Sequence, residues 1–352
     1  MKSYEAIIIG GGIIGLSLAI ELRKQGLRVL LVEKGEPGRE ASWAAGGMLV
    51  GSGLETPPSL QRLAAASARM YPEFVHELED ESRLKIDLRS EGTLLWDPAA
   101  DARVRALHPL PAPLSELEPA LADQLSSPLF VQEQCVDPRD LVTAAIAAAH
   151  HRGVDFSSGD EVLEVEVKDG KAAGVLTNKT NFLSEAVVNC AGAWAGLIPP
   201  HAFPTSPVKG QMLCVLMPDK YLLRHVLRTP DVYLIPRSDG RLLIGATVEE
   251  AGFNKQTVPD TIKKLRRSAL ELVPKLADAR ILEAWAGLRP GTPDKLPILG
   301  TTPTPGYFVA TGHFRDGILL APVTAKVMAA VITGAVLTHD LSLFSAARFQ
   351  DC

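Results

Sequence analysis

The chain has 352 residues, and 46% of them are hydrophobic, which is enough for two domains with complete cores. Its net charge of −5 and its lack of a basic stripe argue against nucleic acid as a partner. Its four cysteines are scattered without a CxxC pair, so we expect neither a metal site nor a disulfide framework, and we expect a reducing, cytoplasmic location.

Residues 4–33 are typical of a dinucleotide-binding unit, because a strand, a glycine turn, a helix and a second strand follow in order. Gly10 allows the sharp turn, Gly12 lets the backbone approach a pyrophosphate, and Gly15 lets the helix pack close to the strand. Glu33, about 20 residues further on, can accept hydrogen bonds from ribose hydroxyls. The pattern predicts a Rossmann-like fold without distinguishing NAD from FAD. A glycine-rich turn in another α/β protein is the alternative.

The following segments alternate between loops, helices and strands. Residues 35–48 are too rich in small residues for a simple helix and predict a backbone-led loop that lies on a flat ring. Asp137 and Pro138 are expected to begin a helix as its N-cap and first residue. Asp169 and Gly170 are expected to join two short strands as a hairpin.

The second half of the chain changes character. Residues 207–286 contain short strands that alternate as in an antiparallel sheet. A later strand leads into a long apolar helix from Gly317, which we expect to be a buried helix rather than a membrane span, since Pro322 and Lys326 interrupt it. The backbone amides and helix dipole of residues 311–318 point positive charge outward, which suits the negative edge of a reduced flavin.

Three stretches of nucleotide-binding character flank two insertions. We therefore predict an α/β protein with an α+β second domain. A discontinuous Rossmann-like domain binds the cofactor, an antiparallel sheet binds the substrate, and a ligand pocket lies where they meet. The predicted cofactor domain comprises residues 1–85, 138–205 and 287–352, and the predicted substrate domain comprises residues 86–137 and 206–286.

A more specific pattern comes from segments spread over nearly the whole chain. They are GGGIIG at residues 10–15, the loop at 44–48, PVKGQM at 207–212, VYLIPR at 232–237, GRLLIGAT at 240–247, WAGLRPGTPD at 285–294 and GHFRDGILLAP at 312–322. In these segments the chain resembles the D-amino-acid oxidase family of FAD enzymes, and the glycine oxidases in particular. The resemblance implies FAD as the cofactor. Because no cysteine occurs in residues 312–319, it also implies noncovalent attachment.

The resemblance also implies which residues contact FAD. Val162 is expected near the adenine, and residues 313–319 are expected at the isoalloxazine edge. Together with the glycines of the first turn, the predicted contacts are Gly10, Gly12, Ile13, Ile14, Gly15, Glu33, Lys34, Ala41, Ser42, Gly46, Gly47, Met48, Val162, His313, Phe314, Arg315, Asp316, Gly317, Ile318 and Leu319.

Arg289 follows a probable strand and is the predicted anchor for a substrate carboxylate, because a guanidinium offers two parallel charge-assisted hydrogen bonds. The residues alone also allow a surface ion pair, and the resemblance favours the carboxylate role. Tyr233 matches the family's carboxylate-binding tyrosine, although its strand pattern alone also fits a core residue. Arg315 matches a residue near substrate and flavin, with an ion pair to Asp316 or Glu283 as the alternative.

The resemblance implies oxidative deamination of a small amino acid, with glycine as the first choice. A hydride passes to flavin N5, the imine hydrolyses to a 2-oxo acid and ammonia, and dioxygen becomes hydrogen peroxide. We propose no side-chain general base, because a neutral amine can release its α-hydrogen as hydride once it is positioned. The histidines His150, His151 and His225 lack a motif and are expected to be solvated. In the family, the imine also supplies the thiazole ring of thiamine, and homo-oligomers are common.

Two alternatives remain open from the sequence. One is a D-amino-acid dehydrogenase that passes electrons to a quinone or another carrier, and the other is a nucleotide-binding module without turnover. The chain departs from the residues that are usual in glycine oxidases at four positions: Trp43, Asp231, Val248 and Asp316. Because one methylene group changes selectivity by only ~1–3 kcal/mol, the order of glycine, sarcosine and D-alanine is open.

Overall fold

The computed structural model describes residues 3–51, 56–97, 99–121 and 126–349, so Cys352 lies outside the described residues. Within these ranges, no helix combines the length and the apolar character that a membrane crossing requires. Helices and strands are numbered in chain order. The helices of the described residues are α1 (Ile13–Lys24), α2 (Ala41–Ala44), α3 (Pro58–Ser82), α4 (Ala102–Leu107), α5 (Leu114–Leu117), α6 (Pro138–His151), α7 (Pro259–Leu272) and α8 (Gly317–Thr333).

A six-stranded, mostly parallel sheet forms one half of the molecule. Five of its six strands run parallel to one another, and the sixth, Ile298–Thr301 at one edge, runs antiparallel to its neighbour. From edge to edge, the strands are β18 (Ile298–Thr301), β19 (Tyr307–Thr311), β12 (Val187–Asn189), β1 (Ala6–Ile9), β2 (Val29–Glu33) and β8 (Asp155–Ser158).

A seven-stranded sheet forms the other half. Its strands are antiparallel to their neighbours except at one pair, where Val226–Arg228 runs parallel to Thr93–Leu95. From edge to edge, the strands are β17 (Arg280–Gly291), β13 (Ser206–Leu216), β16 (Arg241–Gly245), β15 (Tyr233–Pro236), β14 (Val226–Arg228), β5 (Thr93–Leu95) and β6 (Leu129–Val131).

Two small antiparallel sheets complete the fold. One contains the predicted hairpin at Asp169 and Gly170. The other ties the segment after β2 to the two ends of the predicted insertion 86–137. In spatial order, the first comprises β11 (Asn181–Leu183), β10 (Lys171–Thr177) and β9 (Val162–Lys168), and the second comprises β3 (Met48–Leu49), β7 (Gln134–Val136) and β4 (Leu88–Arg89).

Hydrophobic cores lie on the faces of the large sheets. Helices α1, α3, α6 and α8 cover one face of the parallel sheet, and β9–β11 cover the opposite face. Helix α7 covers one face of the seven-stranded sheet. The arrangement confirms the predicted α/β class with Rossmann-like and antiparallel parts.

Local signals at helix ends explain why the cofactor-side helices begin where they do. Helix α6 begins as predicted, because the Asp137 carboxylate accepts a hydrogen bond from the Arg139 amide at 2.8 Å and Pro138 occupies the first helical position. Helix α8 is buried for most of its length, as predicted for the apolar segment from Gly317. Lys326 is the exposed residue in its middle.

The predicted domain boundaries stay a prediction. Strand β17 runs through the proposed boundary between residues 286 and 287, because it pairs with β13 over its whole length, from Ser206 opposite Gly291 to Leu216 opposite Arg280. The substrate arginine proposed from the sequence therefore lies on the seven-stranded sheet.

Candidate active site

A cavity of about 1390 Å³ is lined by residues of both large sheets and of the loops that follow their strands. Pockets for one drug-sized ligand occupy roughly 300–1,000 Å³, so this cavity has room for a dinucleotide and a small substrate together. Every residue predicted to contact cofactor or substrate lines the cavity except Gly15 and Leu319. Leu319 is buried in the core beside α3, and its role in cofactor binding stays a prediction.

The glycine turn after β1 has the geometry that its sequence predicts. Gly10 has a φ of +105°, and a Cβ there would lie 2.5 Å from the carbonyl oxygen of Cys190. A Cβ on Gly15 would lie 2.1 Å from the carbonyl oxygen of Gly10, so α1 packs too closely for a side chain. Gly12 is the N-cap of α1, and the nearest atom to a Cβ added there would be Ser42 Oγ at 3.4 Å. The turn is therefore open where a phosphate would approach the helix N-terminus.

Glu33 and Lys34 lie at the end of β2, beside the same turn. Glu33 accepts hydrogen bonds from the amides of Gly11 and Gly35, each at 2.8 Å, so its carboxylate is held in one orientation. Each carboxylate oxygen has a further lone pair available for a ribose hydroxyl. Lys34 Nζ lies 3.4 Å from the centroid of the Trp194 ring, and burial lowers the pKa of Lys34.

The segment after β2 differs from its prediction, because it contains the short helix α2. Ser42 Oγ accepts a hydrogen bond from the Ile13 amide at 3.0 Å, which fastens α2 to the first turn of α1. From the other side, Trp285 Nε1 donates to the Ala44 carbonyl at 3.1 Å. The first contact joins residues 29 positions apart and the second joins residues 241 positions apart, so the small-residue composition of the segment could not reveal them. They hold the backbone of residues 41–48 against the cavity.

The N-terminus of α8 meets the cavity at Gly317 and Ile318, and the contact of these residues with the isoalloxazine edge stays a prediction. Burial lowers the pKa of His313 to about 3, so the imidazole is neutral; its Nε2 lies 3.2 Å from Thr324 Oγ1. Burial raises the pKa of Asp316 to about 6, and the charge of Arg315 opposes that shift. The amide-rich start of α8 thus offers partial positive charge to a ligand in the cavity.

Arg289 lies within β17, and the expectation that it follows a strand was wrong because β13 pairs with β17 beyond Pro290. Its guanidinium lies over Gly210 of β13, where a Cβ would be 2.3 Å from Nη1. Nη1 donates to the Thr247 carbonyl at 3.1 Å. Within the described part of the chain, Arg289 forms no ion pair with a carboxylate, and burial lowers its pKa. A half-buried guanidinium without an acidic partner is suited to bind an anion.

Tyr233 begins β15 and interacts with Arg289 in the same cavity. A Cβ on Gly245 would lie 2.8 Å from the Tyr233 ring, so that glycine makes room for it. Its hydroxyl lies 3.6 Å from Met212 Sδ. Burial raises the pKa of Tyr233, while the Arg289 charge opposes this, so the hydroxyl is protonated and can donate a hydrogen bond. Tyr233 and Ile235 share one face of the strand, as predicted, and that face borders the cavity.

Arg315 lies at the exposed rim of the cavity, with its guanidinium carbon 5.4 Å from the centroid of the Phe314 ring. Glu283, one of its two alternative partners, instead pairs with Arg139. The positive charge of Arg315 also lowers the pKa values of Tyr233 and Arg289. For both groups this effect is smaller than that of burial and than the charge interaction between Tyr233 and Arg289. Its direct contact with a substrate stays a prediction.

The structure adds residues that the sequence did not indicate. Gly210 of β13 and Thr247, just after β16, shape the surroundings of Arg289, and only the pairing of β13 with β16 and β17 brings them together. The expectation of a solvated His225 was wrong: it is buried, with Nδ1 2.8 Å from Glu118 Oε1. Among the described residues, no group of three or more His, Cys, Asp or Glu side chains could hold a metal ion.

The glycine turn, Glu33 at the end of β2 and the start of α8 line one cavity. Tyr233 and Arg289 line the same cavity, and Arg289 has no carboxylate partner in the described part of the chain. These features are typical of a dinucleotide-binding α/β protein whose cavity also offers hydrogen-bond donors to a small anion. The chain belongs to the DAO family of FAD-dependent oxidoreductases, whose family model matches residues 5–331. The cofactor is therefore FAD, and the open approach at Gly12 and the held carboxylate of Glu33 fit its pyrophosphate and ribose.

Individual relatives are similar over most of the chain. A glycine oxidase of Pseudomonas aeruginosa is 35% identical over 355 residues, which cover 94% of this chain and 95% of that protein. The bifunctional protein ThiO/ThiG of Trichormus variabilis is 35% identical over 364 residues, which cover 98% of this chain and 55% of the relative, so the chain spans about half its length. The crystal structure of glycine oxidase from Geobacillus kaustophilus matches with a TM-score of 0.93 at 32% identity, covering 99% of both chains.

Proposed function

We propose that the protein oxidises glycine and other small amino acids, sarcosine and D-alanine among them, with dioxygen as the electron acceptor. The observation that carries the proposal is the half-buried guanidinium of Arg289, which has no acidic partner in the described part of the chain and shares a cavity with the FAD motifs and Tyr233. Similarity to two glycine oxidases supports the choice of substrate class.

The chain's own residues divide into a cofactor part and a substrate part. The turn at Gly12, the carboxylate of Glu33 and the start of α8 at Gly317 would hold FAD. Bound FAD supplies the two-electron acceptor that amino-acid oxidation requires. In this proposal, FAD is bound without a covalent link to the protein.

Arg289 and Tyr233 would hold the substrate by its carboxylate. The Arg289 fork has donors beyond the one directed at Thr247, and two parallel N–H···O bonds to a carboxylate are the geometry that a guanidinium favours. The protonated Tyr233 hydroxyl can donate a third hydrogen bond. Fixing the acid end of a molecule as small as glycine also restricts where its Cα–H bond can point.

No side-chain base takes part in the proposal. His313 is neutral, but it is buried and engaged with Thr324, and the Tyr233 hydroxyl is already protonated. An amino acid that binds with a neutral amine needs positioning rather than a base. Overall, glycine, dioxygen and water would give glyoxylate, ammonia and hydrogen peroxide, or the free imine where it is captured before hydrolysis.

A link to thiamine is part of the proposal, and the similarity to a protein named ThiO/ThiG supports it. The imine would then be a precursor of the thiazole ring. A reducing cytosol fits the cysteines, because Cys135, Cys190 and Cys214 are free and buried.

The direct test is anaerobic addition of glycine to the purified yellow protein. The proposal predicts that the flavin absorbance near its visible maximum bleaches and that admission of air restores it with production of peroxide. An Arg289→Ala variant should keep its bound flavin but require far more glycine. If glycine, sarcosine and D-alanine all leave the flavin oxidised, the proposal is wrong. Bleaching without peroxide in air would instead identify a dehydrogenase.

A further inference from the structure

Four polar side chains form a cluster beside Arg289, which we call the Glu249 cluster: Lys209, Gln211, Thr247 and Glu249. Of the four, Glu249 also lines the cavity. Gln211 is 0% and Lys209 2% exposed. Burial of such side chains is costly unless their polar groups have partners, so a cluster with two buried members needs a reason.

Gln211, Thr247 and Glu249 are joined by hydrogen bonds, and Lys209 forms an ion pair with Glu249. The Thr247 hydroxyl donates to Glu249 Oε1, and Gln211 Nε2 donates to the same oxygen at 2.8 Å. The backbone amide of Gln211 donates to Thr247 Oγ1 at 2.9 Å. Lys209 Nζ lies 3.7 Å from Glu249 Oε2 and donates to the Gln256 carbonyl at 2.6 Å. Glu249 is the member on which the other three converge.

Thr247 connects the cluster to the substrate arginine. Its hydroxyl is held by Glu249 and Gln211, while its carbonyl accepts the hydrogen bond from Arg289 Nη1 at 3.1 Å. The backbone of Glu249 is docked on β13 by two hydrogen bonds with Lys209, each 2.9 Å. A rigid acceptor on one side of the guanidinium determines which N–H groups are left for a ligand.

We propose that Glu249 is a positioning residue that, through Thr247, sets the orientation of the Arg289 fork for a carboxylate. The inference rests on the proposed function for the identity of the substrate, but it concerns carboxylate binding by this cavity. Burial raises the pKa of Glu249, and the hydrogen bonds from Thr247 and Gln211 with the Lys209 charge more than offset this, so its pKa is lowered and the carboxylate is ionised at neutral pH.

The first test replaces Glu249 in the FAD-loaded protein and measures binding of acetate, a carboxylate without an amine, by calorimetry. Glu249→Ala leaves the Thr247 hydroxyl and the side-chain amide of Gln211 without their acceptor. The acetate Kd and the KM for glycine should each rise about tenfold, with kcat changed less than about twofold. Glu249→Gln keeps an acceptor oxygen for Thr247, so both constants should stay within about threefold of wild type.

A matched control separates positioning from loss of stability. Glu118 is a buried carboxylate of the same half of the molecule and accepts hydrogen bonds from the backbone amides of Arg224 and His225 at 2.8 and 2.6 Å. It does not line the cavity. Glu118→Ala should lower Tm and leave the acetate Kd within about twofold.

The inference is overturned if Glu249→Ala keeps the acetate Kd of wild type, or if Glu118→Ala weakens acetate as much as Glu249→Ala does. It is also overturned if Glu249→Gln is as impaired as Glu249→Ala, since the retained oxygen would then have no effect. The proposed function fails separately if Glu249→Ala weakens acetate as expected while no amino acid reduces the wild-type flavin.

Discussion

A methyl group added at Gly210 should displace the Arg289 guanidinium without unfolding the protein. A Cβ at this position would lie 2.3, 2.5 and 2.6 Å from Nη1, Nη2 and Cζ of Arg289, which is closer than non-bonded atoms approach. The atoms that it meets are the far end of a flexible side chain, so the guanidinium can move while β13 and β17 stay paired. Gly210→Ala is therefore a specific perturbation of the carboxylate anchor.

The size of the effect follows from the hydrogen bonds at risk. A hydrogen bond to a charged group contributes about 1.5–3 kcal/mol, so losing the alignment of one of the two fork bonds should raise the KM for glycine roughly 10- to 150-fold. Complete removal in Arg289→Ala should cost more than Gly210→Ala. Tm and the FAD Kd of Gly210→Ala should remain close to wild type, because the three atoms nearest to the added methyl group all belong to the Arg289 side chain.

A double-mutant cycle with steady-state kinetics decides whether the effect passes through Arg289. In the Arg289→Ala background, Gly210→Ala should change the KM by less than about twofold, because the displaced group is gone. Fully additive effects, or a wild-type KM in Gly210→Ala alone, would show that the guanidinium does not hold the substrate from its position over Gly210.

Three other substitutions test separate parts of the cavity. Tyr233→Phe keeps the ring but removes the hydroxyl, so the KM for glycine should rise about tenfold in steady-state kinetics; an unchanged KM would exclude the hydroxyl as a carboxylate donor. The methyl group of Gly12→Ala has room within the protein, since the nearest atom to it would be 3.4 Å away, but it obstructs the pyrophosphate. Calorimetry should therefore show an FAD Kd raised at least roughly tenfold, and equal FAD affinity would refute the role of the turn. The pKa of Asp316 is raised to about 6 by burial, so the folded state binds more protons than the unfolded state, whose carboxyl has a pKa of about 3.9. The free energy of unfolding should therefore decline as the pH rises from about 4 to 6, and Asp316→Asn should reduce that decline in denaturation curves; an identical pH profile would contradict it.

Local sequence signals predicted the elements that depend only on nearby residues. The turn at Gly10 needs a positive φ, and Asp137 with Pro138 caps a helix, so both could be recognised without knowledge of the rest of the fold. The resemblance to a family added Arg289 and Tyr233, and the structure brings both to one cavity.

Features that depend on contacts distant in sequence could not be predicted. Helix α2 is held by Ile13 and Trp285, and the surroundings of Arg289 are set by Gly210 and Thr247. His225 was misjudged for the same reason, because its partner Glu118 is 107 positions away in the chain. In each case strand pairing or packing, rather than the adjacent residues, decides where the side chain lies.

A crystal structure of the FAD-loaded protein with acetate would test the central claim most directly. The account predicts that both acetate oxygens lie about 2.7–2.9 Å from N–H groups of Arg289, with the Tyr233 hydroxyl on the same carboxylate and the Thr247 carbonyl still on Nη1. Acetate bound elsewhere in the cavity, with Arg289 contacting only protein atoms, would contradict the account.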